Sequence, residues 1–329
     1  MDREFHKILR DRKEATVRYD AETEAIWLYG NPRECPCLNP SMLEELHEVQ
    51  MDIANYFKHN NMKVKTPIKF FVYASQTPNV YSYGGNLGML VDVIKKKDRN
   101  KLEQCAKSVI NAIYFNSTHL NLPLYTLTLV EGDAFGGGFE MALSFDAIFA
   151  EEQSRYGLQQ ARFGIFSGMG YSSLVRKVGL ANADIIIGST KTYNAKDIQS
   201  MGAITDIAKN GEGKTSIDKF MKRYRKSFNI NQALHAAKLR YAPFKFSELE
   251  YMAELWINSI LNMEESNFKM LQKLSESQDK NNESIEYRLR TKQDRRFDSV
   301  IDGFPLTDAD GNTIEQDRRR SRDPRELDT

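Results

Sequence analysis

The chain has 329 residues, 41% of them hydrophobic and 28% charged, enough for one large domain or a domain with an appendage at about 100–200 residues per domain. Its 46 basic and 45 acidic side chains leave a formal net charge of +1. No global field draws it to nucleic acid or to an anionic membrane, and no nucleic-acid partner is expected.

No apolar run approaches the roughly 20 residues that span a bilayer. The first residues, MDREFHKILRDRKE, lack the apolar core of a secretory signal, so a cytoplasmic location is expected. Residues 1–14 read as a polar lead-in. Alternation of Val17 and Tyr19, then Ala25, Trp27 and Tyr29, around a polar turn predicts a hairpin. There are three cysteines, an odd, sparse count that argues against a disulfide framework and for a reducing compartment. Cys35-Pro36-Cys37 has the wrong spacing for zinc or a redox pair and reads as two loop cysteines.

Asn39-Pro40-Ser41 opens a helix to about His59, with Leu43, Leu46, Val49, Ile53 and Tyr56 at three- and four-residue spacing. Ile68 to Ala74 is a buried strand by composition. A loop over 75–86 contains Gly84-Gly85, and helices are predicted at about 87–96 and 98–118. Tyr125–Val130 is the next strand, followed by a helix at about 138–144, a strand at Ala147–Ala150, a turn over 164–170 and a helix over 171–178. This alternation argues for parallel β/α units. Beyond Lys214 helical patterns cover 215–227, 230–241 and 246–278. From Asp279 on, Arg and Asp dominate, and a disordered tail is expected.

Chemistry concentrates in Leu129–Leu174. A strand ends at Gly132-Asp133 and three glycines, Gly136, Gly137 and Gly138, precede a helix. Glycines let a ligand approach the amides closely, and free N–H groups at a helix start favour an oxygen that develops negative charge. Glu140 follows one turn on. By itself the arrangement is equally a tight strand-to-helix crossing, with Glu140 as a first-turn partner of the dipole. The triplet is not a dinucleotide fingerprint, and no G-x-x-x-x-G-K-[ST] loop occurs. Five scattered histidines without ligand spacing predict no metal site. No G-x-S-x-G elbow anchors a serine triad.

The stretches GDAFGGGFEMALSFDAIFAEE and YGLQQARFGIFSGMG resemble the crotonase (enoyl-CoA hydratase/isomerase) superfamily, and within it the diffusible-signal-factor synthases. The resemblance is strong over about 125–175 and weak from about 16 to 275. It implies an α/β fold, a spiral of ββα units in roughly perpendicular sheets over residues 15–210. A helical region over 211–278 would mediate assembly into a trimer or hexamer, and a charged tail over 279–329 lies outside it.

The resemblance also implies an acyl-CoA or acyl-carrier-protein thioester as substrate. No separate cofactor is needed, because coenzyme A or phosphopantetheine arrives as part of that substrate. Gly137 and Gly85, in the loop Tyr83-Gly84-Gly85-Asn86, would supply an oxyanion hole, and Glu140 would be the first catalytic glutamate. The second falls at Gln160, in Gly157-Leu158-Gln159-Gln160, and glutamine has no titratable proton. With one carboxylate, thioester hydrolysis or double-bond isomerisation fits better than reversible hydration; the signal-synthase likeness implies dehydration of a 3-hydroxyacyl chain with release of a cis-2-unsaturated acid, a version that Gln160 weakens. A non-catalytic relative serving as thioester sensor or scaffold is the alternative. Tyr83, Gly84, Gly136 and Tyr171 would flank the substrate. Asp133 is a weaker candidate acid. The run Lys95-Lys96-Lys97 is either a phosphate contact or a solvated helix end. The apolar stripe from Leu249 to Met263, with Trp256 beside it, would cover the acyl pocket or a neighbouring subunit.

Overall fold

The computed structural model describes residues 3–32, 35–60 and 67–279, together with 306–307 and 313–314. Residues 1–279 form one compact unit and 280–329 a second. In the second, only the antiparallel pair Leu306–Thr307 and Thr313–Ile314 is described; the rest of the expected tail lies outside the described residues.

A short helix α1 (Arg3–Ile8) precedes the hairpin β1 (Ala15–Asp20) and β2 (Ala25–Gly30), paired antiparallel with Ala15 opposite Gly30. Helix α2 (Pro40–His59) begins where the Asn39 side chain accepts the Met42 N–H at 2.7 Å, a cap that satisfies a first-turn donor. Its stripe Leu43, Leu46, Val49 and Ile53 is buried. Strands β3 (Phe70–Ser75), β5 (Tyr125–Val130), β7 (Ala147–Glu151) and β10 (Asp206–Ala208) complete a sheet in the order β1-β2-β3-β5-β7-β10, parallel beyond the hairpin. Its central strands are buried on both faces, which explains their unbroken apolar sequences.

Each central strand is followed by a shorter one. These are β4 (Val80–Ser82), β6 (Asp133–Phe135) and β8 (Arg155–Gly157), joined by β9 (Tyr193–Asn194) in a second sheet ordered β4-β6-β8-β9. After the short strands come α3 (Leu87–Lys96) with α4 (Arg99–Ser117), α5 (Gly137–Leu143), and α6 (Tyr171–Gly188). The unit strand, short strand, helix therefore recurs, as the spiral reading expected. Strands β4 and β8 fall in stretches where the sequence predicts loops. Strands of three residues are too short to show a period of two.

Other boundaries also move. Helix α6 runs to Gly188 rather than Val178, interrupted at Gly179 (φ 77°). The single pattern at 246–278 is two helices, α10 (Phe246–Leu261) and a helix over 265–279, separated at 262–264. Before them lie α7 (Ala195–Ser200), α8 (Gly213–Arg225) and α9 (Phe228–Tyr241). Cys35 and Cys37, expected as two loop cysteines, lie in the loop before α2 with their thiols turned toward each other across Pro36. The Cys37 N–H reaches the Cys35 carbonyl at 2.6 Å, a three-residue turn that folds the two side chains together.

Helix α10 lays Leu249, Ala253, Ile257 and Ile260 against Leu102, Ala106, Ile110 and Ile113 of α4, a core separate from the one between the sheet and α2. The late apolar stripe therefore packs on its own chain. Among the described residues no helix is long and apolar enough to cross a membrane.

Candidate active site

Two loops from the second sheet meet at the site. β4 ends at Ser82, whose Oγ accepts the Gly84 N–H at 3.1 Å, and Asn86 caps α3 by accepting the Met89 N–H at 2.9 Å. Between these anchors the Tyr83 N–H donates to Pro36 O (2.8 Å), and Gly84 O accepts from Leu38 (2.7 Å). Gln278, from the helix over 265–279, accepts the Leu87 N–H at 2.9 Å and donates to Gly85 O at 3.3 Å. The Gly85 peptide is thus clamped from both sides.

The other loop leaves β6 through Gly136, at φ 51°, whose N–H donates to Gly157 O at 2.8 Å. Helix α5 then starts at Gly137. The two loops touch at Gly84, where a β-carbon would stand 2.8 Å from Gly137 N and from Phe135 O. Gly84 also sits at φ 85°, so glycine is required twice over. A β-carbon on Gly137 would lie 3.8 Å from Gly85 N, which places the two amides side by side. Among the described residues, neither the Gly85 nor the Gly137 N–H has a hydrogen-bond acceptor.

Glu140 follows one turn into α5 and is 2% exposed. Its Oε1 accepts the Gly170 N–H at 3.3 Å. A β-carbon at Gly170 would lie 2.6 Å from the Glu140 β-carbon, so the turn before α6 needs glycine to approach this side chain. Burial disfavours the ionised form. The Gly170 N–H opposes that only in part, and the carboxyl is pushed up to about 7. Gln160, in the one-turn helix Gln159–Phe163, packs its amide against Gly136. Its Oε1 is buried without a hydrogen-bond partner.

Gly85, Gly137, Glu140 and Gln160 all line one cavity of about 110 Å³. The sequence reading named these four, and the fold brings them together. Leu43, Leu90, Val93, Met169 and Trp256 supply apolar wall. Glu140 is the only carboxyl among the lining residues, and none of them is Lys, Arg or His. The Cys105 thiol also lines it and is raised by burial. Gly84 and Gly136 shape the cavity from behind without lining it.

Tyr83 and Tyr171 do not line the cavity. Tyr83 stacks on Phe135 with ring centroids 6.5 Å apart, and Tyr171 opens α6. Asp133 is held by Arg155 at 2.6 and 2.8 Å, a structural ion pair. Lys95, Lys96 and Lys97 are exposed at the end of α3, outside the cavity. Sequence reasoning missed Gln278, which has no local signal. It also passed over Gly170, although that residue closes the quoted F-S-G-M-G turn. His119 and His235, expected as scattered, meet at Asp146.

Fold and site together define an α/β spiral protein whose apolar cavity presents two free amides and one buried carboxyl. The family model "Enoyl-CoA hydratase/isomerase" matches residues 31–289. The chain belongs to the enoyl-CoA hydratase/isomerase family. The human mitochondrial methylglutaconyl-CoA hydratase is 26% identical over 179 residues, 51% of this chain and 46% of that protein. The Escherichia coli 2,3-dehydroadipyl-CoA hydratase is 35% identical over 88 residues, 26% of this chain and 34% of that protein. The chain thus spans half or less of the length of these relatives. The crystal structure of an enoyl-CoA hydratase from Bacillus halodurans shares the fold, with a TM-score of 0.64 at 19% identity, covering 80% of this chain and all of that one.

Proposed function

We propose that the protein is an enzyme acting on an acyl-CoA thioester with an uncharged hydrocarbon acyl chain. The Gly85 and Gly137 N–H groups would hold the thioester oxygen, and Glu140 would move a proton. The observation that supports this is the pairing of two free amides with one buried carboxyl in a cavity that, among the described residues, has no second carboxylate. Each amide aimed at a developing oxyanion is worth about 3–4 kcal/mol at the transition state. A group titrating near neutrality can both take and return a proton.

Double-bond isomerisation fits this inventory best. Glu140 would remove a C2 proton from a 3-enoyl thioester, the enolate oxygen would rest on the two amides, and the same proton would return at C4 to give the 2-enoyl product. Nothing is gained or lost, and one carboxyl suffices. The unpartnered Gln160 Oε1 favours a second reading, in which it holds a water for hydrolysis of the thioester. A third reading is elimination followed by hydrolysis: Glu140 would take the C2 proton of a 3-hydroxyacyl thioester and return it to the departing 3-hydroxyl, which leaves as water, and a second water would cleave the thioester to release a cis-2-unsaturated acid and free coenzyme A. The named relatives act, by name, on acyl groups that carry a carboxylate. Among the described residues no cationic side chain lines this cavity to receive one, hence the proposal of a hydrocarbon chain.

Assembly into a trimer or hexamer belongs to the same reading. It is supported by Ile230 and Leu234, 72% and 56% exposed on α9, and sedimentation would report it. The decisive assay incubates the protein with 3-enoyl, 2-enoyl and 3-hydroxyacyl thioesters of coenzyme A and of acyl carrier protein, with products read by mass spectrometry and NMR. A shifted double bond supports isomerisation and free acid supports hydrolysis. Tight binding without product would make the protein a thioester sensor or scaffold.

A further inference from the structure

A second pocket, of about 500 Å³, opens between the end of α5, the first two turns of α6 and the second half of α9. None of the residues lining the first cavity lines it. Two of its lining residues, Ser173 (4% exposed) and His235, each hold a buried polar atom without a partner among the described residues, Ser173 Oγ and His235 Nε2. A buried polar atom left unpaired is destabilising, so two around one pocket point to something that satisfies them. Ser173 and Lys177 lie one turn apart on α6. The Lys177 ammonium makes one bond, to Asp146 O at 3.0 Å, of the three it can donate.

The charges decide what kind of ligand fits. Lys177 and Lys238 both line the pocket, and among the described residues neither has a carboxylate within ion-pair distance. Arg176 is neutralised by Glu248 at 3.0 Å. Asp146 is the one acid on the wall, and both its oxygens are in use. Oδ1 sits 2.6 Å from His119 Nε2, and Oδ2 accepts from the Thr126 N–H and hydroxyl at 3.0 and 2.9 Å. The His119, Asp146 and His235 ligand atoms lie within 4.8 Å of one another. A cation there would have to break the His119–Asp146 contact beside two lysines. Burial also lowers the Lys177 ammonium to about 8 and the His235 imidazole to about 4. An anion in the pocket would raise both.

We propose that this pocket binds an organic oxyanion, its oxygens taken by the Ser173 hydroxyl, the Lys177 ammonium and the His235 Nε2–H, with its body along Phe244 and Leu239. A phosphoryl or a carboxylate group satisfies the same donors. The test uses the full chain in chloride buffer at constant ionic strength, titrated with inorganic phosphate and separately with acetate, with thermal midpoint and, for phosphate, 31P line width as readouts. Saturable stabilisation by either anion is expected, and which one acts identifies the headgroup. Half-saturation should shift at least tenfold in Ser173→Ala and in Lys177→Met, and at least threefold in Lys238→Ala. Lys238 is exposed, so that variant keeps the test open if the other two misfold. Absence of saturation with both anions, or equal response in wild type and every folded variant, would overturn the proposal.

Discussion

At the scale of single residues, Glu140 sets the pH behaviour. Its carboxyl rises from 4.5 to about 7 because it is buried, so the folded state holds the proton more tightly than the unfolded chain. The stabilisation from this group is complete below about 4.5 and is lost as pH rises through about 7. Glu140→Gln removes the buried charge. Urea unfolding should therefore find the variant more stable than wild type at pH 8, on the order of 3 kcal/mol at about 1.36 kcal/mol per unit, with the difference vanishing near pH 4.5. Turnover should move the other way. Loss of the proton carrier should lower kcat roughly 10²–10⁴-fold while thioester binding, followed by calorimetry, stays within about threefold. If Glu140 acts first as a base, kcat/KM of wild type should rise with an inflection near 7. A decline over that range would make it the acid.

At the scale of elements, the site depends on three chain segments that no local motif connects. Gln278 grips the Gly85 peptide from the helix over 265–279. Gln278→Ala should free that loop, lowering kcat about tenfold or more with a smaller change in KM, since misplacing a donor by about 1 Å is costly. A uniform loss of stability with unchanged kinetics in the folded fraction would make Gln278 merely structural. Trp256, on α10, closes part of the cavity wall. Trp256→Ala should raise kcat/KM for longer acyl chains relative to shorter ones, measured across a chain-length series. Beside it, Ile257→Ala opens a hole in the α4–α10 core and should cost about 2–5 kcal/mol in urea unfolding.

For the whole molecule, all residues lining the cavity, and Gln278, lie in the unit that ends at Asp279. Truncation after Asp279 should leave the thermal midpoint within a few degrees and turnover within about twofold. A collapse of either would give residues 280–329 a part in the site. The spiral puts the first cavity at the start of α5 and the second at its end, so one short helix borders both.

The long central strands, the amphipathic helices and the glycine-rich turn with Glu140 are legible in the sequence, because each is written in a local period or in a residue type suited to few backbones. The resemblance then named Gly85, Gly137, Glu140 and Gln160. The tertiary structure alone decided that these four share one cavity. It also decided that Tyr83 and Tyr171 stand outside that cavity, and that Asp133 is occupied by Arg155. Only in the folded chain do Gln278 and Gly170 support the site, and only there do His119 and His235 meet at Asp146. Close approach between residues far apart in sequence comes from how the two sheets and their helices pack, and burial, which raises Glu140, exists only once that packing has excluded water.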